Sequence, residues 1–392
     1  MGKELLHHGH DLMLACMFLA SAMAATPFPP PTTKGWHWVD VEGSKCMSGQ
    51  QTGVYLRYAT SNATKLAVYL NGGGACFNEV TCATASSSAH PGVPQTTGEF
   101  DNNDERNPLR DYIWLNVPYC TGDVHLGDVE STVAGVKHHF SGRTNIALIM
   151  ERAKATWPEL TDVVVTGESA GGFGAFANYP FIRSHWPRAR GVMIDDSGPV
   201  IDDEALAPCL QAAWRRDWDL NNALPAGCPC ISDAGNMSSG WVWFKTQNPR
   251  DSIGLISSID DSVISMFYSF GEVPKGTRCP SALPAIYDKI EGGLHRLSDQ
   301  GIPVFMLPGG QHTHTGSKSS FYTTEVSNVK MYEWIAQLID PNRPDPPSVV
   351  PPKSLVEEAS TQPLTFDEYS KASTQPLTFD EYSKAKAAGL YY

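Results

Sequence analysis

No stretch of the 392 residues is long and apolar enough to cross a bilayer. The most prominent apolar run, Leu12 to Ala25, has 14 residues, where a spanning helix needs about 20. Cationic residues are the minority, 29 Lys and Arg against 42 Asp and Glu. The resulting formal net charge of −13 removes nucleic acid from the expected partners. No C-x-x-C pair exists, so a structural zinc site lacks its usual spacing. The glycine run Gly72-Gly73-Gly74 is not followed by Gly-Lys-Ser/Thr, which sets aside a phosphate-cradling loop.

What is present is the composition of a large globular core, with 41% hydrophobic and 18% charged residues. The run at 12–25 ends in Ala22-Met23-Ala24-Ala25, an A-x-A-like cleavage site, and a proline-rich stretch (Pro27-Phe28-Pro29-Pro30-Pro31) follows. Residues 1–25 therefore read as a secretory signal peptide, with a weak n-region in which Lys3 is opposed by Glu4 and Asp11. Of nine cysteines, Cys16 lies inside that signal and eight remain, an even number that fits disulfides in an oxidising compartment. The pairing taken here joins Cys46 to Cys120 and Cys76 to Cys82, with Cys228 and Cys230 sharing Cys209 and Cys279. Asn62-Ala63-Thr64 and Asn236-Met237-Ser238 are glycosylation acceptors if the host glycosylates.

Short β-branched or apolar runs recur along the chain: Gly53 to Tyr58, Leu66 to Leu70, Tyr112 to Tyr119, Asp162 to Thr166, Gly191 to Ile194, Ser252 to Ser257 and Ile302 to Leu307. Helical spacing appears over Thr144 to Trp157 and Val326 to Ile339, and residues 202–245 read as a helical insertion or cap. Alternation of this kind predicts an α/β-hydrolase-like, mostly parallel sheet with helices on both faces and a small helical cap. Residues 83–110 read as a long loop outside the core. The catalytic domain is expected over 26–340, followed by a proline-rich linker and a disordered tail over 341–392. Within that tail a 13-residue unit occurs twice, at 360–372 and 373–385, too short an array for a solenoid.

The chemistry centres on Gly167-Glu168-Ser169-Ala170-Gly171-Gly172. A β-branched strand precedes it and a helix-forming run follows, the context in which G-x-S-x-G is a nucleophile elbow. A serine nucleophile needs a base, a group that orients the base, and donors for the oxyanion. In hydrolases of this architecture the order is Ser, then acid, then His. Past later strands the acid falls at Asp260 or Asp261 and the base at His312 or His314. The two histidines face the same way if the segment is extended, and His312 lies nearer the strand end. Asp123, Asp195 and Asp196 are weaker acids, read as loop carboxylates that bind backbone amides. The amide of Ala170 and the glycines at 72–74 are the expected oxyanion donors.

Four segments together resemble the pectin acetylesterase / Notum carboxylesterase family: Tyr69 to Asn78, Val117 to His125, Gly167 to Gly172 and Ile194 to Gly198. The resemblance implies an α/β-hydrolase fold and metal-free ester deacylation. It puts the triad on Ser169, Asp261 and His312 and the oxyanion donors on Gly73, Gly74 and Ala170. Family members often carry a tryptophan after the glycine run. Ala75 follows Gly74 here, which would widen or reshape an acyl pocket.

The leading expectation is a secreted, monomeric serine carboxylesterase that deacetylates a cell-wall polysaccharide such as pectin. It needs no cofactor or metal, and it meets neither nucleic acid nor a membrane as a partner. Removal of a longer acyl group from a lipid or protein is the alternative within the same chemistry, and pocket depth separates the two. A non-catalytic carbohydrate-binding protein on the same fold is the alternative from another class.

Overall fold

The computed structural model describes residues 25–352, apart from 32–33, 60–63, 270–271, 274–276, 279–282 and 317. The signal-peptide reading of 1–25, the acceptor Asn62 and the duplicated unit fall outside or almost wholly outside these residues.

Eight strands form one sheet: β1 (His37–Asp40), β2 (Gly53–Arg57), β3 (Lys65–Leu70), β4 (Ile113–Val117), β5 (Asp162–Glu168), β6 (Arg190–Asp196), β7 (Ser252–Ser258) and β8 (Val304–Leu307). Their spatial order is β1-β2-β4-β3-β5-β6-β7-β8. β1–β2 and β2–β4 pair antiparallel, and every later neighbour pairs parallel. This is an α/β-hydrolase-like architecture. Side chains alternate across it with period two. Leu66, Val68, Leu70, Val163, Val165 and Met193 enter one apolar cluster, and Ala67, Tyr69, Val164, Val192 and Ile194 enter the other. Burial on both faces explains the near-continuous apolar strands.

The helices that matter for the site are α1 (Gly142–Thr156), α2 (Ala170–Ser184), α3 (Pro208–Trp218), α4 (Gly240–Gln247), α5 (Ser262–Ser269), α6 (Leu283–Asp299) and α7 (Met331–Ile339). α3 lies in the insertion expected at 202–245, and α4 begins in it and ends just beyond, at Gln247. Trp218 Nε1 donates to the Cys76 carbonyl at 2.9 Å, so α3 is tied to the segment just after the glycine run.

Several expectations change. The helix read from Val326 starts at Met331, because Glu325–Val326 and Val329–Lys330 form a small hairpin. Its turn residues Ser327 and Asn328 both have positive φ, 50° and 62°, which a helix cannot accommodate. The stretch 83–110 is mostly irregular apart from the end of a short helix at Thr84 and a 3₁₀ turn at Gly98–Phe100, yet it contributes to the interior: Glu99, Phe100, Asn107 and Leu109 are buried. Strand β1, the hairpin Val129–Val133 / Val136–Phe140 and helices α5 and α6 were not read from the sequence.

Cys46–Cys120 and Cys76–Cys82 are bonded as expected. Cys228 and Cys230 are bonded to each other instead of sharing Cys209 and Cys279; their Cα atoms are 5.1 Å apart, within ordinary disulfide reach. Cys209 is also disulfide-bonded, and Cys279 lies outside the described residues.

The proline-rich stretch 341–352, read as a linker, is seated on the sheet. Val349 is buried, bridges Phe305 of β8 in parallel fashion and exchanges backbone bonds with Val304 and Met306. Asp345 accepts from Lys245 Nζ at 2.6 Å and Ser252 Oγ at 2.5 Å. Prolines suit an edge partner, where half of the backbone amides need no ladder bond.

Candidate active site

β5 ends at Glu168 and α2 begins at Ala170, so Ser169 alone makes the turn. Its backbone sits at φ 56° and ψ −122°, a region that non-glycine residues seldom occupy and that costs on the order of 1–3 kcal/mol. The turn is held by the bond from the Ser169 amide to the Asp196 carbonyl at 2.7 Å and by bonds from Gly172 and Phe173 to the Ser169 carbonyl. A Cβ at Gly171 would overlap the Leu70 carbonyl, and one at Gly167 would overlap the Gly171 carbonyl, so strand and helix meet only because both positions are glycine.

At the end of β7, Asp261 Oδ2 meets His312 Nδ1 at 2.8 Å, and the Asp261 side chain is 0% exposed. Its Oδ1 caps α5, accepting the Val263 and Ile264 amides at 3.0 and 2.9 Å. The carboxylate is thus fixed on both sides. Asp260 stays half-exposed beside it, its carboxyl raised by burial and by the charges of Glu291 and Asp288. His312 is 13% exposed, and its Nε2 has no hydrogen-bond partner among the described residues; Ser169 and His312 are not bonded to each other. Burial alone would lower the His312 pKa. The charge and hydrogen bond of Asp261, with the charges of Asp196 and Glu168, outweigh it, and the net shift is upward.

His314 does not face the same way as His312. Thr313 has φ 63°, which breaks the extended alternation. His314 turns inward to Ser258 Oγ at 3.1 Å, and burial lowers its pKa.

The weaker acids bind amides. Asp123 accepts from Thr121 Oγ1 and from the amides of His125, Gly127 and Gly142. Asp195 accepts from the Gly198 amide at 2.8 Å, and burial pushes its carboxyl well up. Asp196 does more than its sequence reading suggested. Its Oδ2 accepts the amides of His314 and Thr315, each at 2.8 Å, and Ser197 Oγ accepts the Thr313 amide at 3.1 Å. Asp196 and Ser197 therefore hold three consecutive amides of the loop after His312. The motif Asp195-Asp196-Ser197-Gly198 after a strand was the available signal, but only the fold shows which loop it grips.

Of the expected oxyanion donors, Ala170 occupies the first turn of α2, where amides lack intrahelical acceptors. Gly73 and Gly74 have φ of 153° and 80°. Gly74 and Ala170 line a cleft beside Ser169; Gly73 packs behind it, where a Cβ would strike Ser86 and Tyr119. The cleft's remaining walls are Ala75, Val124, Phe173, Trp214, Ile264, Phe267 and Tyr268, nearly all apolar. Its empty space is about 310 Å³ including the open mouth. Two of these walls are bulky: Trp214 is stacked on Trp218 with centroids 5.2 Å apart, and the tip of the Phe267 ring lies beside Gly74.

As for metal, one His/Cys group among the described residues has ligand spacing: Cys76, Cys82 and His138. Its two sulfurs are already joined as a disulfide and cannot serve as thiolate ligands.

The pectinacetylesterase family model matches residues 32–223, which include the glycine run, the elbow and the Asp196 motif. That region belongs to the pectinacetylesterase family. Palmitoleoyl-protein carboxylesterase notum2 of Xenopus laevis is 31% identical over 214 residues, 47% of this chain and 42% of that protein. Palmitoleoyl-protein carboxylesterase NOTUM of Schmidtea mediterranea is 29% identical over 144 residues, 34% of this chain and 27% of its own length. The alignments thus span less than half of either curated relative. The solved structure of the Wnt deacylase Notum from Drosophila superposes with a TM-score of 0.58 at 18% identity, covering 78% of this chain and 93% of that one; the likeness is one of fold. The pectinacetylesterase region of this chain holds Ser169 and the glycine run, while Asp261 and His312 lie beyond the matched residues.

Proposed function

We propose that the chain is a secreted serine carboxylesterase that removes acetyl groups from a polysaccharide such as pectin. The observation that carries this reading is the 2.8 Å contact between Asp261 and His312 at the sheet end where Ser169 occupies its strained turn. Asp261 would hold the Nδ1 proton of His312 and so leave Nε2 as the base. Ser169 Oγ would attack the acetyl carbonyl carbon as its proton moves to His312 Nε2. The resulting oxyanion would be received by the amides of Ala170 and Gly74, with Gly73 shaping the approach. His312 would then give its proton to the departing sugar oxygen, leaving an acetyl-enzyme. Water, deprotonated by His312, would release acetate and restore Ser169.

Acetyl is favoured because the enclosed part of the cleft has room for only about one or two water molecules, far less than a long acyl chain needs. Trp214 and Phe267 are bulky side chains in the cleft's wall. The apolar lining and the names of the two Notum relatives support a second reading, removal of a longer acyl group. Secretion is supported by the disulfides, which persist in oxidising compartments, and among the described residues no helix is long and apolar enough to cross a membrane.

A series of p-nitrophenyl esters of increasing acyl length, run beside acetylated pectin, tests the proposal. Acetate release with activity falling steeply beyond butyrate supports it. A maximum at long chains selects the second reading. No turnover on any ester, with no labelling of Ser169 by a serine-reactive phosphonate, overturns both.

A further inference from the structure

Three residues after His312, Thr315 Oγ1 lies 2.6 Å from Glu99 Oε1 and 2.9 Å from Asp196 Oδ2. A hydroxyl carries one proton and can donate to one of these oxygens. Asp196 Oδ2 already accepts the His314 and Thr315 amides. Both contacts are satisfied together only when Glu99 itself brings a proton: Glu99 donates to Thr315, and Thr315 donates to Asp196.

Glu99 is placed for that role. Its amide donates to the Thr315 carbonyl at 3.0 Å, so the turn at 98–100 is clamped to the loop by backbone as well. Among the described residues its other oxygen reaches Thr166 Oγ1 alone, at 3.4 Å. The ionisable groups acting on it are Asp196 and Glu168, both acidic, with Tyr69 close by, and no cation among the described residues offsets them.

We propose that Glu99 is a positioning residue that, when protonated, pins the loop carrying His312 through Thr315 and Asp196, and that its ionisation loosens this loop. The inference rests on His312 being the catalytic base. Burial, reinforced by the neighbouring acids, pushes the Glu99 carboxyl up to about 8, so the pin is in place at neutral pH and lost in mild alkali.

The experiment compares wild type, Glu99→Gln, Glu99→Ala and Thr315→Val. Rates on p-nitrophenyl acetate are followed across pH, and thermal unfolding is followed across pH without substrate. Gln donates through its amide at every pH. Glu99→Gln should therefore keep the neutral rate within about threefold and lack the alkaline fall that wild type shows near pH 8. Glu99→Ala and Thr315→Val should each lower kcat about tenfold or more with KM little changed.

The unfolding arm has a definite sign. A carboxyl raised in the folded state contributes stability that is full below its unfolded value of 4.5 and lost as pH rises toward 8. The Tm of Glu99→Gln relative to wild type should therefore climb over that window. If Glu99→Gln keeps the wild-type alkaline limb and the Tm difference is flat with pH, the proposal is wrong. Should Glu99→Gln not fold, an undiminished kcat in Thr315→Val overturns it equally. A protein without esterase activity whose Tm difference still climbs would retain the proton on Glu99 but refute the assigned reaction.

Discussion

The amide of Ser169 donates to the carbonyl of Asp196 across 2.7 Å, while the Asp196 carboxylate holds the His314 and Thr315 amides. One residue of β6 thus joins the elbow to the loop that bears His312. The serine and the imidazole are far apart in the chain, at positions 169 and 312, and their relative placement depends on this shared anchor.

Ser169→Ala should reduce turnover by about 10³-fold or more, since members of such a unit act together. The variant should also lose phosphonate labelling and keep its wild-type Tm, apart from a small change from relief of the strained turn. Initial rates and intact mass after labelling check both. Wild-type turnover in a folded Ser169→Ala protein would exclude this serine.

Asp261→Asn should cost about 10²–10⁴-fold in kcat, because the amide cannot hold the same imidazole tautomer. It should also move the acid limb of the rate profile. In the wild type His312 titrates above its ordinary 6.5, so activity rises with pH through a midpoint higher than that. Removing Asp261 takes away the leading influence that raises it, and the midpoint should fall. Stability runs the other way: the raised histidine contributes fully below 6.5, and that contribution is lost as pH rises through the folded value. Rate profiles of the two proteins over pH 5–9 show whether the midpoint moves.

Phe267→Ala should lengthen the accepted acyl chain. Phe267 lines the cleft with its ring tip beside Gly74 and is half-buried, so its loss opens space at modest structural cost. The ratio of octanoate to acetate kcat/KM should rise about tenfold or more. An unchanged ratio would mean that Phe267 does not limit the pocket.

Truncation after Asp340 should lower Tm by about 2–5 °C. It removes Val349 from the open side of β8 and Asp345 from Lys245 and Ser252. Melting curves of the truncated and full proteins check this, and an unchanged Tm would make the segment a passive tail.

Most of the sheet was legible in the order of residues. Asp162 to Thr166 and Leu66 to Leu70 are β-branched or apolar in unbroken runs because both of their faces are covered. The elbow was legible too, since glycines at 167 and 171 are demanded by contacts within a few residues of the turn or by the adjoining strand. The helix read from Val326 failed on two residues, Ser327 and Asn328, whose positive φ lets a hairpin form where apolar spacing suggested helix.

Amino-acid order by itself determined the alternation of strands and helices, the serine turn and the short set of acids and histidines past the strand ends, because these depend on local periodicity and turn chemistry. Tertiary structure alone decided among them. Asp261 and not Asp260 reaches an imidazole, since its other oxygen is tied to the start of α5. His312 and not His314 meets Asp261 and keeps an Nε2 without a partner among the described residues, since Thr313 bends the chain between them and His314 Nε2 turns to Ser258. Glu99, Asp196 and Thr315 meet across separations of 97, 119 and 216 residues, as differences of their numbers show. Contacts that distant leave no period in the chain, because the forces that select them act only once the sheet has brought its strand ends together.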